Sequence, residues 1–231
     1  MNDFTDAPMN KLLVARKAAC TFAARYAGRT VLAIGAHPDD IELGIGATVA
    51  LLARAGARVV MAVCSVPSDY DKRRAEALAA AAVLGCELRI LMDGGSRRIE
   101  DVKTYQLVGL IDDTVRELQP AAMLTHGSTD FHGDHVLVHQ ASVPAQRLHP
   151  FDLYCYLPTM VRPVPVPFHP RAYIDVSSTI ETKIAAIAEH KSQFGSRGIS
   201  FDYYREIAHL NGRMCGVEYA EGVDVGRIVF A

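Results

Sequence analysis

Between Thr30 and Thr125, short apolar runs alternate with helix-length segments, and this alternation constrains the fold more than any other feature of the 231-residue chain. Thr30–Ala36, Arg58–Cys64, Glu87–Met92 and Ala121–Thr125 have the character of strands buried on both faces of a parallel sheet. The segments between them predict helices over Gly44–Ala55, Asp69–Leu84 and Val102–Leu118. Gly56 and Gly85 stand where helix C-terminal caps belong, and Pro120 stops the third helix. Strands joined through helices imply right-handed crossovers and an α/β, Rossmann-like three-layer fold, a mostly parallel sheet flanked by helices. In the common strand order 3-2-1-4-5, the first and fourth strands are neighbours, and a crevice opens between their carboxyl ends.

An amphipathic stretch, Lys11–Tyr26, precedes this pattern. After it, Pro158, Pro163, Pro165, Pro167 and Pro170 force extended backbone around a strand expected at Leu153–Leu157. That proline-rich segment reads either as a surface connector or as a wall over the site. A strand at Ala172–Ser177 and helices at Thr179–Gln193 and Tyr203–Cys215 follow, and with no repeat or linker the expectation is one domain over residues 1–231. At 50% apolar and 22% charged, the chain can hold a full core without a structural metal, so a metal here would be functional. A formal charge of −2 with no long run of either sign argues against a nucleic-acid partner. No apolar stretch is long enough for a membrane span, and the start MNDFTDAPMN lacks a signal peptide's basic region and apolar core, so a cytoplasmic protein is expected. Five scattered cysteines without a CxxC pair indicate free thiols.

Chemistry-bearing residues collect at two strand ends. The first strand runs into Ala36-His-Pro-Asp-Asp-Ile-Glu42, with one imidazole and three carboxylates in six residues. His37 and Asp40, three apart across a turn set by Pro38, offer nitrogen and oxygen donors suited to a divalent metal. The fourth strand ends in a segment holding His126, His132, His135 and His139, four of the nine histidines, with Asp130 and Asp134 among them. Imidazoles so crowded would repel one another when charged, and a metal resolves the conflict. His139 lies one helical turn after His135 and would share its face, while His126 reads as structural or substrate-facing. Glu42 reads as a cap for the helix expected from Gly44, and Arg73 either pairs with Glu76 or reaches the pocket.

These segments resemble the LmbE-like (PIG-L type) zinc-dependent de-N-acetylases. Ala36–Glu42 with Gly44-Ile-Gly-Ala-Thr48 is similar to the family's AHPDDxExGxGGT segment, and His132-Gly-Asp-His135 to its HPDH. Arg73-Arg-Ala-Glu76 resembles its RxxE helix; Tyr173-Ile-Asp-Val, Lys183, His190-Lys-Ser-Gln193 and Tyr219-Ala-Glu221 resemble its C-terminal stretch. The resemblance implies that His37, Asp40 and His135 hold zinc, with ferrous iron or another divalent metal as alternatives. It further implies that Asp39 is the general base, that a protonated His132 helps the developing oxyanion, that Asp134 orients His132, and that Arg73 binds substrate. The implied partner is a small N-acetylated amino sugar, such as an N-acetylglucosaminyl conjugate, and a homo-oligomer is compatible with this reading. Gly133 replaces the family's proline, loosening that turn, and Ala47 replaces the second glycine of its pair, altering how closely substrate approaches the helix.

Three rival readings compete. A nucleotide-binding Rossmann-like protein would use Gly44-Ile-Gly46, but Val49 stands where the third fingerprint glycine belongs. A metal-dependent phosphoesterase of the two-metal kind needs more bridging carboxylates than this chain offers. A non-catalytic metal or sugar binder that has kept the fold would have no use for Asp39 and His132 together.

Overall fold

The structure, a computed structural model, describes residues 21–157, 168–195 and 200–230. Most of the proline-rich segment, the chain before residue 21 and Cys20 therefore lie outside the described residues.

Among the described residues, seven strands form one sheet in the order β3-β2-β1-β4-β5-β7-β6. They are β1 (Thr30–Gly35), β2 (Arg58–Val63), β3 (Glu87–Ile90), β4 (Ala122–His126), β5 (Asp152–Tyr156), β6 (Ala172–Asp175) and β7 (Ala220–Arg227). The first five are parallel; β7 runs antiparallel to β5 and β6. The helices are α1 (Asp40–Arg54), α2 (Tyr70–Leu84), α3 (Thr104–Leu118), α4 (Gly133–Ser142), α5 (Ile180–Ala188), α6 (Lys191–Phe194) and α7 (Asp202–Cys215). Among the described residues, no helix is long and apolar enough to cross a membrane.

The period-2 alternation of β1 builds both cores at once. Val31 and Ala33 pack on one face with Ile41 and Val49 of α1 and Ala80 of α2. Leu32 and Ile34 pack on the other with Ile111 and Val115 of α3 and Val138 of α4. From β1 the chain builds outward through β2 to β3, then returns to lay β4 on the opposite side. The carboxyl ends of β1 and β4 therefore flank the topological switch point, where α/β sheets bind ligands.

Four expectations need correction. Helix α1 begins at Asp40 rather than Gly44, so Glu42 lies within it and does not cap it. The helix expected over Thr179–Gln193 stops at Ala188, and α6 starts after His190, whose ψ of 58° is not helical. Strand β7 goes beyond the elements that the sequence pattern predicts, because its glycines and acidic residues mask the apolar alternation. Ala47 is fully buried in the sheet-facing core, so it has no bearing on substrate approach.

Gly44 sits where α1 crosses Tyr156, and a Cβ there would run into the ring's Cδ2. The ring cannot yield freely, since Tyr156 is 1% exposed and its hydroxyl donates to Ile34 O at 2.8 Å. Gly44→Ala is expected to destabilise by roughly 1–3 kcal/mol through overpacking. A denaturant titration showing no shift in midpoint would contradict this packing.

Candidate metal centre

The turn from β1 into α1 is set by short-range hydrogen bonds. His37 N donates to Asp40 Oδ2 at 2.8 Å, and Leu43 N donates to Asp39 O at 2.9 Å. Between them Asp39 adopts φ 100°, a left-handed conformation unfavourable for a residue with a Cβ. This turns the Asp39 and Asp40 carboxylates in different directions. Asp40 is buried against His126 at the end of β4 and His135 of α4, while the Asp39 carboxylate comes 4.0 Å from Arg73.

On the β4 side, His132 opens α4 as its N-cap and Asp134 and His135 follow in the first turn. His135 Nε2 lies 3.2 Å from Asp40 Oδ1, and its Nδ1 lies 2.8 Å from Asp130 Oδ2. His37 shows the same arrangement: Nδ1 lies 3.8 Å from Asp40 Oδ2, and Nε2 lies 2.9 Å from Asp134 Oδ2. Each imidazole thus turns one nitrogen toward Asp40 and engages a separate carboxylate with the other. Metal-ligating histidines are held in this way, because the outer carboxylate fixes the tautomer and raises ligand basicity.

Charge in the centre follows from these contacts. Burial opposes protonation of His135, but Asp130 and Asp40 prevail and raise its pKa to about 10. Burial likewise disfavours ionised Asp40, yet the imidazoles of His126 and His135 beside it hold it well below the usual carboxylate range. Burial and the charge of Asp40 raise Asp39 to about 7, against the opposing charges of His190 and Arg73. The hydrogen bond from His37 holds Asp134 low.

Among the described residues, two donor sets have ligand atoms all within 4.8 Å of one another: His37/His132/His135 and Asp40/His126/His135. The expected trio of His37, Asp40 and His135 is neither of these sets: His37 belongs to the first, Asp40 to the second, and His135 to both. His126 is less suited to ligation because its Nε2 already accepts the Ala36 N–H at 2.9 Å. It is fully buried and its pKa is pushed down, chiefly by burial, so it serves as a neutral support under the centre rather than facing substrate. His139 Nδ1 faces His126 O at 2.8 Å and belongs to a separate hollow with Cys155, so it does not join His135.

Two expected roles change. The Asp134 carboxylate meets His37, not His132; what His132 receives, at Nδ1, is the Asp134 backbone N–H at 3.3 Å. A protonated His132 is also not favoured, since burial and the neighbouring His135 and His37 push its pKa down. With Nδ1 accepting, the neutral ring carries its proton on Nε2 and remains a donor. Gly133 occupies the first position of α4, where an added Cβ would meet nothing within 4 Å, and His132 before it is extended (φ −88°, ψ 116°). Proline suits both requirements, so Gly133→Pro is expected to raise stability by roughly 0.4–1 kcal/mol. A lowered Tm would show that this turn needs glycine.

Arg73 reaches the site buried, donating from Nη2 to Pro38 O at 3.2 Å. Glu76, the alternative partner for Arg73, takes Ser192 N and Oγ, at 2.8 and 2.6 Å, which joins the RxxE helix to the His190-Lys-Ser-Gln193 segment. Glu42 pairs with His190 at 2.8 Å, both side chains at most 1% exposed. Asp130 is legible in sequence only as a member of the histidine-rich segment; its hold on His135 needs the fold to be seen.

Fold and site together define an α/β protein with a histidine–carboxylate centre at the switch point of its sheet. The family profile described as PIG-L, GlcNAc-PI de-N-acetylase, matches residues 32–146. An uncharacterized deacetylase, YaiS, of Escherichia coli (strain K12) is 34% identical over 172 residues, covering 70% of this chain and 90% of that protein. The chain belongs to the PIG-L de-N-acetylase family, hydrolases acting on linear amides. The diacetylchitobiose deacetylase of Thermococcus kodakarensis (strain ATCC BAA-918 / JCM 12380 / KOD1) is 27% identical over 223 residues, covering 84% of this chain and 82% of the relative. The crystal structure of a 4-carboxy-2-hydroxymuconate hydratase from Pseudomonas putida KT2440 superposes with a TM-score of 0.69 at 22% identity, covering 88% of this chain and 98% of that one. That likeness speaks for the fold alone, which carries more than one reaction.

Proposed function

We propose that this protein, one domain over residues 1–231, removes an acetyl group from an N-acetylated amino sugar or N-acetylglucosaminyl conjugate. His37, Asp40 and His135 hold a divalent metal, zinc or ferrous iron, and Asp39 is the general base. The observation that carries the reading is the paired support of His37 by Asp134 and of His135 by Asp130, with both imidazoles facing Asp40. Two nitrogen donors and one carboxylate form a set suited to such a metal with a position left for water. Kinship with deacetylases, one of them acting on diacetylchitobiose, supports the sugar substrate.

A divalent cation bound there supplies Lewis acidity and a water whose pKa falls towards ~7. Asp39, beside a ligand yet facing elsewhere, takes the proton from the attacking water and returns it to the departing amine. The Arg73 guanidinium keeps that carboxylate oriented and contacts substrate at the same wall. His132 donates its Nε2–H to the former carbonyl oxygen as negative charge develops there. Asp134 acts through His37. Among the described residues Cys64, Cys86, Cys155 and Cys215 are free, in keeping with work in a reducing, cytoplasmic setting.

Elemental analysis of the purified full chain is expected to find about one divalent ion per chain. His135→Ala should lose most of it and stay folded, because the two cores do not rest on the centre. Full metal content in a folded His135→Ala would show that the ligand assignment is wrong.

A further inference from the structure

Helix α1 is built from two pieces. Ile45 leaves the helical region, at φ −137° and ψ 24°, so residues 40–44 form a separate turn carrying Asp40 and Glu42. Every residue from Asp40 to Ala50 is buried, so the backbone groups at this break have no access to bulk water.

Two side chains from the C-terminal part of the chain meet those groups. Glu221 on β7 accepts from Ala47 N at 3.2 Å and from Thr48 N at 2.7 Å. Lys183 on α5 donates to Gly44 O at 3.3 Å and to Glu221 Oε1 at 2.6 Å. A carboxylate thus stands at the start of one helical piece and an ammonium at the end of the other, as the helix dipole favours. Gly46 makes room, since a Cβ there would lie 3.2 Å from Lys183 Cγ.

Both charged side chains are only 3% exposed. Apolar residues of similar volume commonly match or exceed a buried ion pair in stability, so stability alone is a weak reason for this pair. Its geometric effect is specific: it ties the break to β7 and α5, and so sets the angle at which the first turn presents Asp40 to His135.

We propose that Lys183 and Glu221 are positioning residues for the metal centre, clamping the break in α1 so that Asp40 stays in register with His135. The proposal rests on the ligand role given to Asp40 and His135 above. It assigns a function to a region beyond residues 32–146, which the family profile matches.

The test is Zn2+ affinity, measured by competition with a chromophoric chelator on the full chain, together with far-UV circular dichroism. Glu221→Gln removes the charge but keeps an acceptor, and is expected to weaken Zn2+ binding by ~10–100-fold while the protein stays folded. If Glu221→Gln does not fold, the neutral pair Lys183→Met/Glu221→Gln is measured against the same expectation. Asp152→Asn, at the opposite end of the sheet, controls for general destabilisation and should leave Zn2+ affinity unchanged. A folded clamp variant binding Zn2+ within about threefold of wild type would overturn the proposal, as would an equal loss in Asp152→Asn. His135→Ala in the same assay separates the two levels. If it loses Zn2+ while the clamp variants keep it, only the clamp fails; if it binds like wild type, the ligand reading fails.

Discussion

Asp39→Asn is expected to keep its metal and lose kcat by ~10²–10⁴-fold, because a neutral amide cannot take the proton of the attacking water. Its neighbour should fail differently. Asp40→Asn replaces an anionic donor facing the imidazoles of His37, His126 and His135 with a weaker neutral one, so metal affinity should fall and added zinc should restore part of the activity. The positive φ of Asp39 makes this separation possible, since it sends two adjacent carboxylates to different sides of one turn. A pH profile adds a second check. A base works only when ionised, so the rate of the wild type should fall as pH drops through the Asp39 pKa, and Asp39→Asn should lack that limb. Metal content and kcat of both variants decide the assignment. If Asp39→Asn loses metal while Asp40→Asn keeps it and is merely slow, the roles are exchanged.

The largest effect on stability is expected far from the site. Asp152, 2% exposed at the start of β5, accepts from Tyr26 Oη at 2.6 Å, Arg25 Nε at 2.7 Å and Val229 N at 2.7 Å. It ties both ends of the described chain to the sheet. Asp152→Ala strips the acceptor from three donors and is expected to cost roughly 3 kcal/mol, lowering Tm by roughly 6–12 °C. Burial opposes ionisation of Asp152, but Arg25, Tyr26 and the Val229 amide hold its pKa below the ordinary value. A depressed folded-state pKa gives stability that is present above the unfolded value near 3.9 and is lost as pH falls through the folded one. Acid unfolding of Asp152→Ala should therefore lack this contribution, and thermal melts across the acid range would reveal it. An unchanged Tm at neutral pH would show that the hub does not hold the termini.

The parts of the fold readable in sequence are those where one local pattern decides. Apolar runs identify β1 to β5, with glycine caps before β2 and β3 and Pro120 before β4, and the switch point follows from the common order of such strands. Strand β7 escapes because Glu221, Gly222, Asp224 and Gly226 interrupt its apolar positions, and its pairing partners lie far away in sequence. In the site, the clustered His37, Asp39, Asp40, His132, Asp134 and His135 stand out by type and spacing. What cannot be read is which carboxylate each imidazole meets. Asp134 lies two residues from His132 yet bonds His37, because α4 turns its first residues back toward β1. The Glu42–His190 and Lys183–Glu221 pairs span long sequence separations, so no local spacing announces them.

The most direct measurement is mass spectrometry of N,N'-diacetylchitobiose and N-acetylglucosaminyl conjugates after incubation with metal-free and zinc- or iron-loaded protein. The expected result is that at least one of these sugars loses an acetyl group, that the loss requires the metal, and that Asp39→Asn and His135→Ala abolish it. Metal-loaded, folded wild-type protein that releases no acetyl group from any N-acetylated sugar, or releases it equally well without metal, would contradict it.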